Sequence, residues 1–296
     1  MTLPRFEYVK TQTIEEAADF AAKMGGRCMV MAGGTDIIPL LKDRVKLPEY
    51  IIDLKGIPGL KQLEYSEDGG LKVGALTTLR EIETSALVKS KIPAVAAAAH
   101  YVASTQIRGR GTMAGNICNA SPSADTASIL LAMDATVKTV RAGGEGRVIP
   151  IDEFFKGVKK TTLDEGEIVT EITIPPLKAG EGSAYFKYAV RKAMDLAIIG
   201  VAAWVKTDGR KIADCRIAVG GANTTPFRAV AAEKQLIGQE FSEGLLEEVA
   251  VTAAGECRAI SDVRASAEYR VDMVRVFTKR AVKGALGSLR AAGEGA

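Results

Sequence analysis

Two glycine-bearing segments constrain this chain more than any other feature of its sequence. The first is Ala-Gly-Gly-Thr-Asp at residues 32–36, after a short apolar run, and the second is Thr-Met-Ala-Gly-Asn at residues 112–116. Glycine lets the backbone approach a ligand closely and turn its N–H groups toward it, so such loops bind phosphate without lysine side chains. We interpret the segments as two halves of one pyrophosphate cradle, which predicts a dinucleotide cofactor.

The length and charge of the chain narrow the class of protein. At 296 residues it exceeds the usual size of one domain, so we expect two domains. The 39 basic and 36 acidic residues nearly cancel, which argues against nucleic acid as a partner. No apolar run approaches the roughly 18 residues of a membrane span, and the N-terminus lacks the apolar region of a signal peptide. We therefore expect a cytoplasmic protein with no membrane span.

The four cysteines do not have the spacing of a disulfide framework or a metal site. Cys28, Cys118, Cys215 and Cys257 are scattered, and no Cys-x-x-Cys pair occurs. Zinc and iron–sulfur sites use closely spaced cysteines. We expect four reduced thiols and no metal in this chain.

Residues 1–55 have the pattern of a small α/β layer. Thr13 and Glu16 have the spacing of a capping box, which predicts a helix that ends at two glycines. Apolar runs at 28–31 and 51–54 predict two buried parallel strands. The first glycine segment then lies at the carboxyl end of a strand, where open α/β sheets usually bind ligands.

Residues 56–177 change to an antiparallel pattern, in which strands alternate apolar and polar side chains. The expected strands lie at 71–75, 135–140, 147–151 and 167–174, and the expected helices at 78–84 and 93–102. Residues 1–177 are therefore predicted to form one domain with two subdomains. The stretch from Pro175 to Gly182 is the best linker candidate.

Residues 178–287 predict a smaller α+β domain. An Asp208-Gly209 turn predicts a hairpin between strands at 201–207 and 210–219. Helical spacing of apolar residues follows at 226–237, 242–257 and 266–286. The fold class is therefore α+β, and the tail at 288–296, rich in small residues, is expected to be frayed.

Neither glycine segment alone identifies a cofactor. The first lacks the Gly-x-Gly-x-x-Gly pattern of Rossmann folds, and no Walker motif is present. Taken alone, Gly-Gly-Thr-Asp is also typical of an ordinary turn, because these residue types favour turns for local reasons.

Three separated motifs carry more information together. They are residues 32–36, residues 112–117 with the continuation Ala-Ser-Pro-Ser-Ala-Asp at 120–125, and Asp-Val-Arg-Ala-Ser-Ala-Glu-Tyr-Arg at 262–270. In this order they resemble the FAD-binding medium subunit of molybdenum hydroxylases, the xanthine dehydrogenase and carbon monoxide dehydrogenase family. The resemblance covers essentially the whole chain.

This resemblance implies a cofactor, partners and a role. FAD would bind non-covalently between the two subdomains of residues 1–177. Substrate would be oxidised at a molybdopterin centre in a large partner subunit. Electrons would then pass through [2Fe-2S] clusters of a small partner subunit to FAD, and onward to NAD or another acceptor. The implied assembly is a dimer of heterotrimers, in which this chain provides no catalytic acid or base.

The resemblance also implies which residues contact FAD. The two glycine segments would surround the pyrophosphate, Asp125 would accept ribose hydroxyls, and Val169, Lys187 and Leu196 would lie around the flavin ring, with Lys187 near its N1/O2 edge. The expected cofactor-binding residues are Ala32, Gly33, Gly34, Thr35, Asp36, Thr112, Gly115, Asn116, Cys118, Asn119, Asp125, Val169, Lys187 and Leu196.

Some of these residues have simpler explanations. Asp125 has the position of a helix cap, and Lys187 that of a strand lysine facing solvent. Ionised Asp36 is poorly suited to contact phosphate, so we expect it to cap the N–H groups of its motif or to accept from a ribose hydroxyl. Ala114 stands where the family commonly has glycine, and its Cβ requires a negative φ.

Two features lie outside the motifs. His100, the only histidine, lies on an alanine-rich helix, and we expect a surface histidine rather than a catalytic base or a covalent flavin anchor. Six basic residues near the last helix could face a partner subunit or solvent. They are Arg264, Arg270, Arg275, Lys279, Arg280 and Lys283.

Two other functions remain compatible with parts of the pattern. A self-contained FAD-dependent oxidoreductase, of the enolpyruvyl reductase or aryl-alcohol oxidase type, would need its own acid and often a flavin-linked histidine. The lone His100 argues against it. A flavin-free scaffold subunit would not need the intact glycines of the two segments. The resemblance implies that the substrate is bound by the large partner subunit.

Overall fold

The computed structural model describes residues 2–191 and 193–289. Within them no helix is both long and apolar enough to cross a membrane. The predicted α+β class is confirmed, with three main sheets and helices packed against them.

The N-terminal part is a small parallel α/β layer. Its elements are β1 (Glu7–Lys10), α1 (Ile14–Met24), β2 (Cys28–Met31), α2 (Ile37–Lys42) and β3 (Tyr50–Asp53). The three strands are parallel in the order β1-β3-β2. Thr13 caps α1 by accepting the Glu16 N–H at 3.1 Å. The Glu16 carboxylate accepts from Gln12 N–H at 2.7 Å, so the predicted capping box is shifted by one residue at its second bond.

The middle part combines an antiparallel sheet with a group of short helices. Its strands are β4 (Leu63–Ser66), β5 (Gly70–Gly74), β6 (Thr136–Val140), β7 (Val148–Pro150), β8 (Phe155–Gly157), β9 (Lys160–Thr161) and β10 (Ile168–Ile174). Its helices are α3 (Leu79–Thr84), α4 (Ala86–Lys91), α5 (Pro93–Tyr101), α6 (Thr105–Arg108), α7 (Met113–Cys118), α8 (Asp125–Ala132) and α9 (Ile151–Phe154). Five strands form the sheet β4-β5-β10-β6-β7, and β8 and β9 form a separate hairpin.

The C-terminal part is a second antiparallel sheet with three helices. Its elements are β11 (Glu181–Tyr188), β12 (Ile199–Asp208), β13 (Lys211–Gly220), β14 (Phe227–Arg228), α10 (Val230–Leu236), α11 (Glu243–Gly255) and α12 (Ala267–Gly287). The strand order is β11-β12-β13-β14. Alternate residues of β12 face opposite ways: Val201 and Ala203 pack with α12, and Trp204 packs into the core around α5 and α8.

Three predicted boundaries differ from the structure. The hairpin turn is Gly209-Arg210, because a register shift after Lys206 pairs Asp208 with Lys211. The start of the predicted helix at 226–237 is instead β14, which pairs with β13. The linker ends two residues early, since Glu181 and Gly182 already belong to β11.

The predicted frayed tail lies mostly outside the described residues, which end at Leu289. Its first residue, Ser288, is anchored, because its hydroxyl donates to Ser183 O at 3.0 Å and accepts from Ser183 N–H at 3.1 Å.

Candidate functional site

The two glycine segments lie against each other. The first forms the loop between β2 and α2, and the second forms α7 and the turn before it. A Cβ added to Gly33 would lie 2.1 Å from the carbonyl oxygen of Arg110 and 3.0 Å from Gly111 Cα. Gly33 is therefore required by backbone packing between the segments. Gly34 has a left-handed φ of 77°, which favours glycine for a second reason.

A cavity of about 820 Å³ opens beside this contact. Its volume is at the upper end of the roughly 300–1,000 Å³ of small-molecule and cofactor sites. Of the fourteen predicted cofactor-binding residues, Lys187 alone does not line it. The thirteen that line it are Ala32, Gly33, Gly34, Thr35, Asp36, Thr112, Gly115, Asn116, Cys118, Asn119, Asp125, Val169 and Leu196.

The cavity wall presents several donors with no partner among the described residues. The backbone N–H groups of residues 33–36 make no hydrogen bond to any residue that the structure describes. The same holds for the hydroxyls of Thr35, Ser121 and Ser123 and for Nδ2 of Asn116. Unpartnered neutral donors around a cavity suit a ligand rich in phosphate and hydroxyl oxygens.

The second segment uses part of its hydrogen-bonding capacity internally. The Thr112 hydroxyl caps α7 by accepting the Gly115 N–H at 2.9 Å, so that N–H is not free for a ligand. Oδ1 of Asn116 accepts from the Thr126 hydroxyl at 2.6 Å, which orients the Asn116 amide. Ala114 lies inside α7 and has no positive φ, so its Cβ is accommodated as expected.

Asp36 does not cap its own motif. It precedes α2, but its carboxylate makes no capping hydrogen bond and instead accepts from Asn119 Nδ2 at 2.7 Å. The capping alternative is therefore wrong. The surrounding protein raises the pKa of the Asp36 carboxyl by desolvation, and the positive charge of Lys159 opposes that rise.

Asp125 is held by two donors from the C-terminal sheet. It accepts from the Tyr185 hydroxyl at 2.8 Å and from Lys187 Nζ at 2.9 Å. Burial raises the pKa of the Asp125 carboxyl, and Lys187 opposes the shift. Asp125 is itself the first residue of α8 and makes no capping bond, so the helix-cap explanation is wrong.

Lys187 does not face solvent, contrary to the simpler expectation. Its side chain is 6% exposed, and Nζ also donates to Tyr101 O at 2.9 Å and to Asp195 O at 2.8 Å. It thereby ties Asp125 to the loop at 194–196, whose three residues line the cavity. Leu196 on this loop is 48% exposed, whereas Val169 on β10 is buried.

The remaining sequence candidates lie elsewhere. His100 does not line the cavity, and its Nδ1 lies 2.7 Å from Glu83 Oε1. The four cysteines are free thiols. Several basic residues of α12 are paired within the chain: Arg275 and Lys279 with Glu247, and Lys283 with Glu243.

Arg270 of the third motif is buried and braces two loops. Its Nη1 donates to Ile198 O at 2.6 Å and to Gly221 O at 3.0 Å, and its Nη2 lies 2.8 Å from Asp262. Arg270 and Asp262 of this motif thus hold the chain that follows the loop at 194–196.

Sequence reasoning missed Lys159, which lines the cavity and donates to Asn119 Oδ1 at 2.7 Å. It also missed the buried Glu83–Arg108 pair behind the segment at 102–111. A lysine in a Lys-Lys turn gives no local signal of its role.

Two family models match the chain. The FAD binding domain in molybdopterin dehydrogenase matches residues 4–177, and the CO dehydrogenase flavoprotein C-terminal domain matches residues 184–285.

Several proteins are similar to this chain over nearly its full length. The glyceraldehyde dehydrogenase medium chain of Sulfolobus acidocaldarius is 36% identical, over 95% of this chain and 98% of that protein. The xanthine dehydrogenase FAD-binding subunit of Escherichia coli O157:H7 is 32% identical, over 94% and 95%. A solved structure of carbon monoxide dehydrogenase from Hydrogenophaga pseudoflava superposes with a TM-score of 0.94 at 32% identity, covering 98% of this chain and 100% of that one.

The fold, the cavity and these matches define a class: a flavin-binding subunit of an oxidoreductase. The chain belongs to the FAD-binding medium subunits of the xanthine dehydrogenase and carbon monoxide dehydrogenase family. The residues present fit FAD, because unpartnered N–H and hydroxyl donors line a cavity of dinucleotide size.

Proposed function

We propose that this chain carries FAD as the electron-transfer subunit of a heteromeric molybdenum hydroxylase. It would receive electrons from [2Fe-2S] clusters of a small partner subunit, which are reduced in turn by a molybdopterin-containing large subunit. It would pass them to NAD or another acceptor. The observation that carries the proposal is a cavity whose described lining residues offer binding groups, with no carboxylate among them that lacks a hydrogen-bond partner.

The carboxylates of the cavity support this. Asp36, Asp125, Glu167 and Asp195 are the four among its described lining residues, and each accepts a hydrogen bond from a neighbouring donor. The site is therefore suited to hold and orient a cofactor.

Different residues of the cavity would bind different parts of FAD. The N–H groups of residues 33–36 and the hydroxyls of Ser121 and Ser123 would bind the pyrophosphate region, and Asp125 would accept from ribose hydroxyls. Val169 and Leu196 would line the flavin ring. Lys187 would act from behind Asp125 and the loop at 194–196, by holding both in place. Bound FAD supplies a ring that accepts electrons singly and releases them in pairs.

The wider organisation belongs to the same proposal. We place the division between the FAD-binding domain and the C-terminal domain at residues 177 and 178. The assembly would be a cytoplasmic dimer of heterotrimers.

The experiment identifies the partner subunits and measures electron transfer from the flavin. The full chain is purified with its accompanying subunits, whose molybdenum, iron and flavin contents are measured. The flavin is then photoreduced without oxygen, with EDTA as the electron donor, and NAD or a quinone-like dye is added. Molybdenum- and iron-containing partners, together with reoxidation of the flavin by an acceptor, are expected. A chain that binds FAD but purifies alone and itself oxidises a small substrate would contradict the proposal and favour a self-contained flavoenzyme.

The loop at 33–36 can be tested with an isosteric pair at Gly34. Asn and Asp both tolerate a left-handed φ. The added Cβ would come closest to the flexible Met31 side chain, at 3.2 Å, and would make an ordinary contact with Ile38 at 3.8 Å. Gly34→Asp is expected to lower FAD affinity by at least about a hundredfold, because like charges near a protein surface repel by roughly 4 kcal/mol at about 4 Å. Gly34→Asn serves as the uncharged control and should lose far less. Equal FAD affinities for the two variants in a fluorescence titration would place the phosphates elsewhere.

A further inference from the structure

Lys159 is the only lysine or arginine among the described residues that line the cavity. It lies at the tip of the hairpin formed by β8 and β9, between Gly157 and Lys160. Two hydrogen bonds hold it against residues 119 and 120, which follow the second glycine segment. Its N–H donates to Ala120 O at 2.9 Å, and its Nζ donates to Asn119 Oδ1 at 2.7 Å.

The backbone of Lys159 is in a conformation that a lysine adopts at a cost. Its φ is 58°, in the left-handed region that glycine and asparagine adopt more readily. Backbone outliers of this kind persist where surrounding contacts hold them, and they cluster at functional sites. Glycine would form this turn at a lower conformational cost. The presence of lysine therefore indicates a role for its side chain.

The positive charge of Lys159 is linked to Asp36 across the cavity wall. Asn119 bridges the two, because its Oδ1 accepts from Lys159 and its Nδ2 donates to Asp36 at 2.7 Å. The three residues belong to the hairpin, the end of α7 and the start of α2. They therefore join three separate elements around the cavity.

This arrangement matters for an anionic ligand. Asp36 directly follows the unpartnered N–H groups of residues 33–35, so a pyrophosphate bound there would face a carboxylate of like charge. Neutral N–H and hydroxyl donors bind phosphate oxygens but carry no net positive charge to set against that carboxylate. Lys159 is the only cation among the described lining residues, and it carries that charge.

We propose that Lys159 is a cationic ligand of the FAD pyrophosphate, and that the hairpin at 155–161 forms a third wall of the cofactor site. The side chain offsets the charge of Asp36 and binds phosphate oxygens. This inference rests on FAD binding, which family membership establishes, and is independent of the acceptor and partners under the proposed function.

The test measures binding by the full chain stripped of FAD. FAD is titrated at low and high salt, and ADP and adenosine compete against it. Asparagine suits the left-handed backbone and carries no charge. Lys159→Asn is expected to weaken FAD binding by about tenfold to a hundredfold, as for the loss of a charged hydrogen bond. It should also make the FAD affinity less dependent on salt. Lys159→Arg keeps the charge and should bind within about threefold of the natural chain.

The competitors separate a direct role from a structural one. Lys159→Asn should weaken the binding of ADP but leave the affinity for adenosine unchanged, because adenosine has no phosphate. Adding Asp36→Asn to Lys159→Asn should recover part of the FAD affinity, since it removes the uncompensated carboxylate. Equal weakening of ADP and adenosine, or FAD binding by Lys159→Asn that matches the natural chain at both salt concentrations, would overturn the proposal. Failure of the natural chain to bind FAD would instead contradict the cofactor assignment itself.

Discussion

Replacing Gly33 with alanine is expected to abolish FAD binding and to lower the free energy of unfolding by about 1–3 kcal/mol, the usual range for overpacking. The added Cβ would lie 2.1 Å from the oxygen and 2.7 Å from the carbon of the Arg110 carbonyl. These are backbone atoms, which cannot rotate away as a side chain can. The two glycine segments must therefore separate, and the donors on either side no longer converge on one ligand.

Gly56 provides the matched control. It also lies in a loop, and a Cβ added to it would meet no atom within 4 Å. Gly56→Ala is expected to change the free energy of unfolding by less than about 0.5 kcal/mol and to leave FAD affinity intact. Urea denaturation and FAD titration measure both quantities. FAD affinity as high in Gly33→Ala as in Gly56→Ala would show that the contact between the segments is not needed.

Local patterns predicted most of the fold because their physical causes are local. Period-two alternation predicted β6, β7 and β10, and the carboxyl end of β2 placed the first glycine segment correctly. The errors also have local causes. The turn lies one residue later than predicted because Asp208 still pairs with Lys211, and no residue type marks that pairing in the sequence.

The site was predictable where glycine or small polar residues line it, and much less so where side chains meet across the fold. Asp125 was identified, but its partner Tyr185 is 60 residues away and carries no motif. Lys159 and Asn119 are 40 residues apart. Such pairings arise from how the sheets and helices stack, and a single sequence does not encode them in its spacing.

The role of the glycines also became clearer. The sequence indicated close approach of backbone to a ligand, whereas the structure shows close approach of backbone to backbone at Gly33. Both demands can hold at once, because the loop that packs on Arg110 also presents the unpartnered N–H groups. Glycine at position 33 thus allows the close packing of the two backbones and also leaves the loop's N–H groups facing the cavity.

Arg108→Met is expected to destabilise the fold by about 3–5 kcal/mol, because it leaves a buried carboxylate without its main partner. Arg108 is 6% exposed and Glu83 is 7% exposed. The guanidinium binds Glu83 at 2.9 and 3.2 Å and also donates to Val102 O at 3.0 Å. This pair braces the segment at 102–111, so FAD affinity should fall together with stability.

Arg80→Met is the control for that substitution. Arg80 contacts the same carboxylate at 3.1 Å, but its side chain is 46% exposed. Its loss should cost at most about 1 kcal/mol, as for other exposed ion pairs. Adding Glu83→Met to Arg108→Met should recover part of the lost stability, because no charge is then left buried.

The loss of folding stability caused by Arg108→Met should also depend on pH. Burial alone raises the pKa of Glu83, but hydrogen bonds from Arg108, His100 and Arg80 outweigh it and lower the pKa from 4.5 to about 2. A lowered carboxyl pKa stabilises the folded state above pH 4.5, and that stability is lost as the pH falls toward 2. Without Arg108 the carboxyl protonates more easily, so the difference in unfolding free energy between natural chain and variant should shrink over this window. A difference that stays constant from neutral pH down to pH 2 would show that Arg108 acts through packing and Val102 alone.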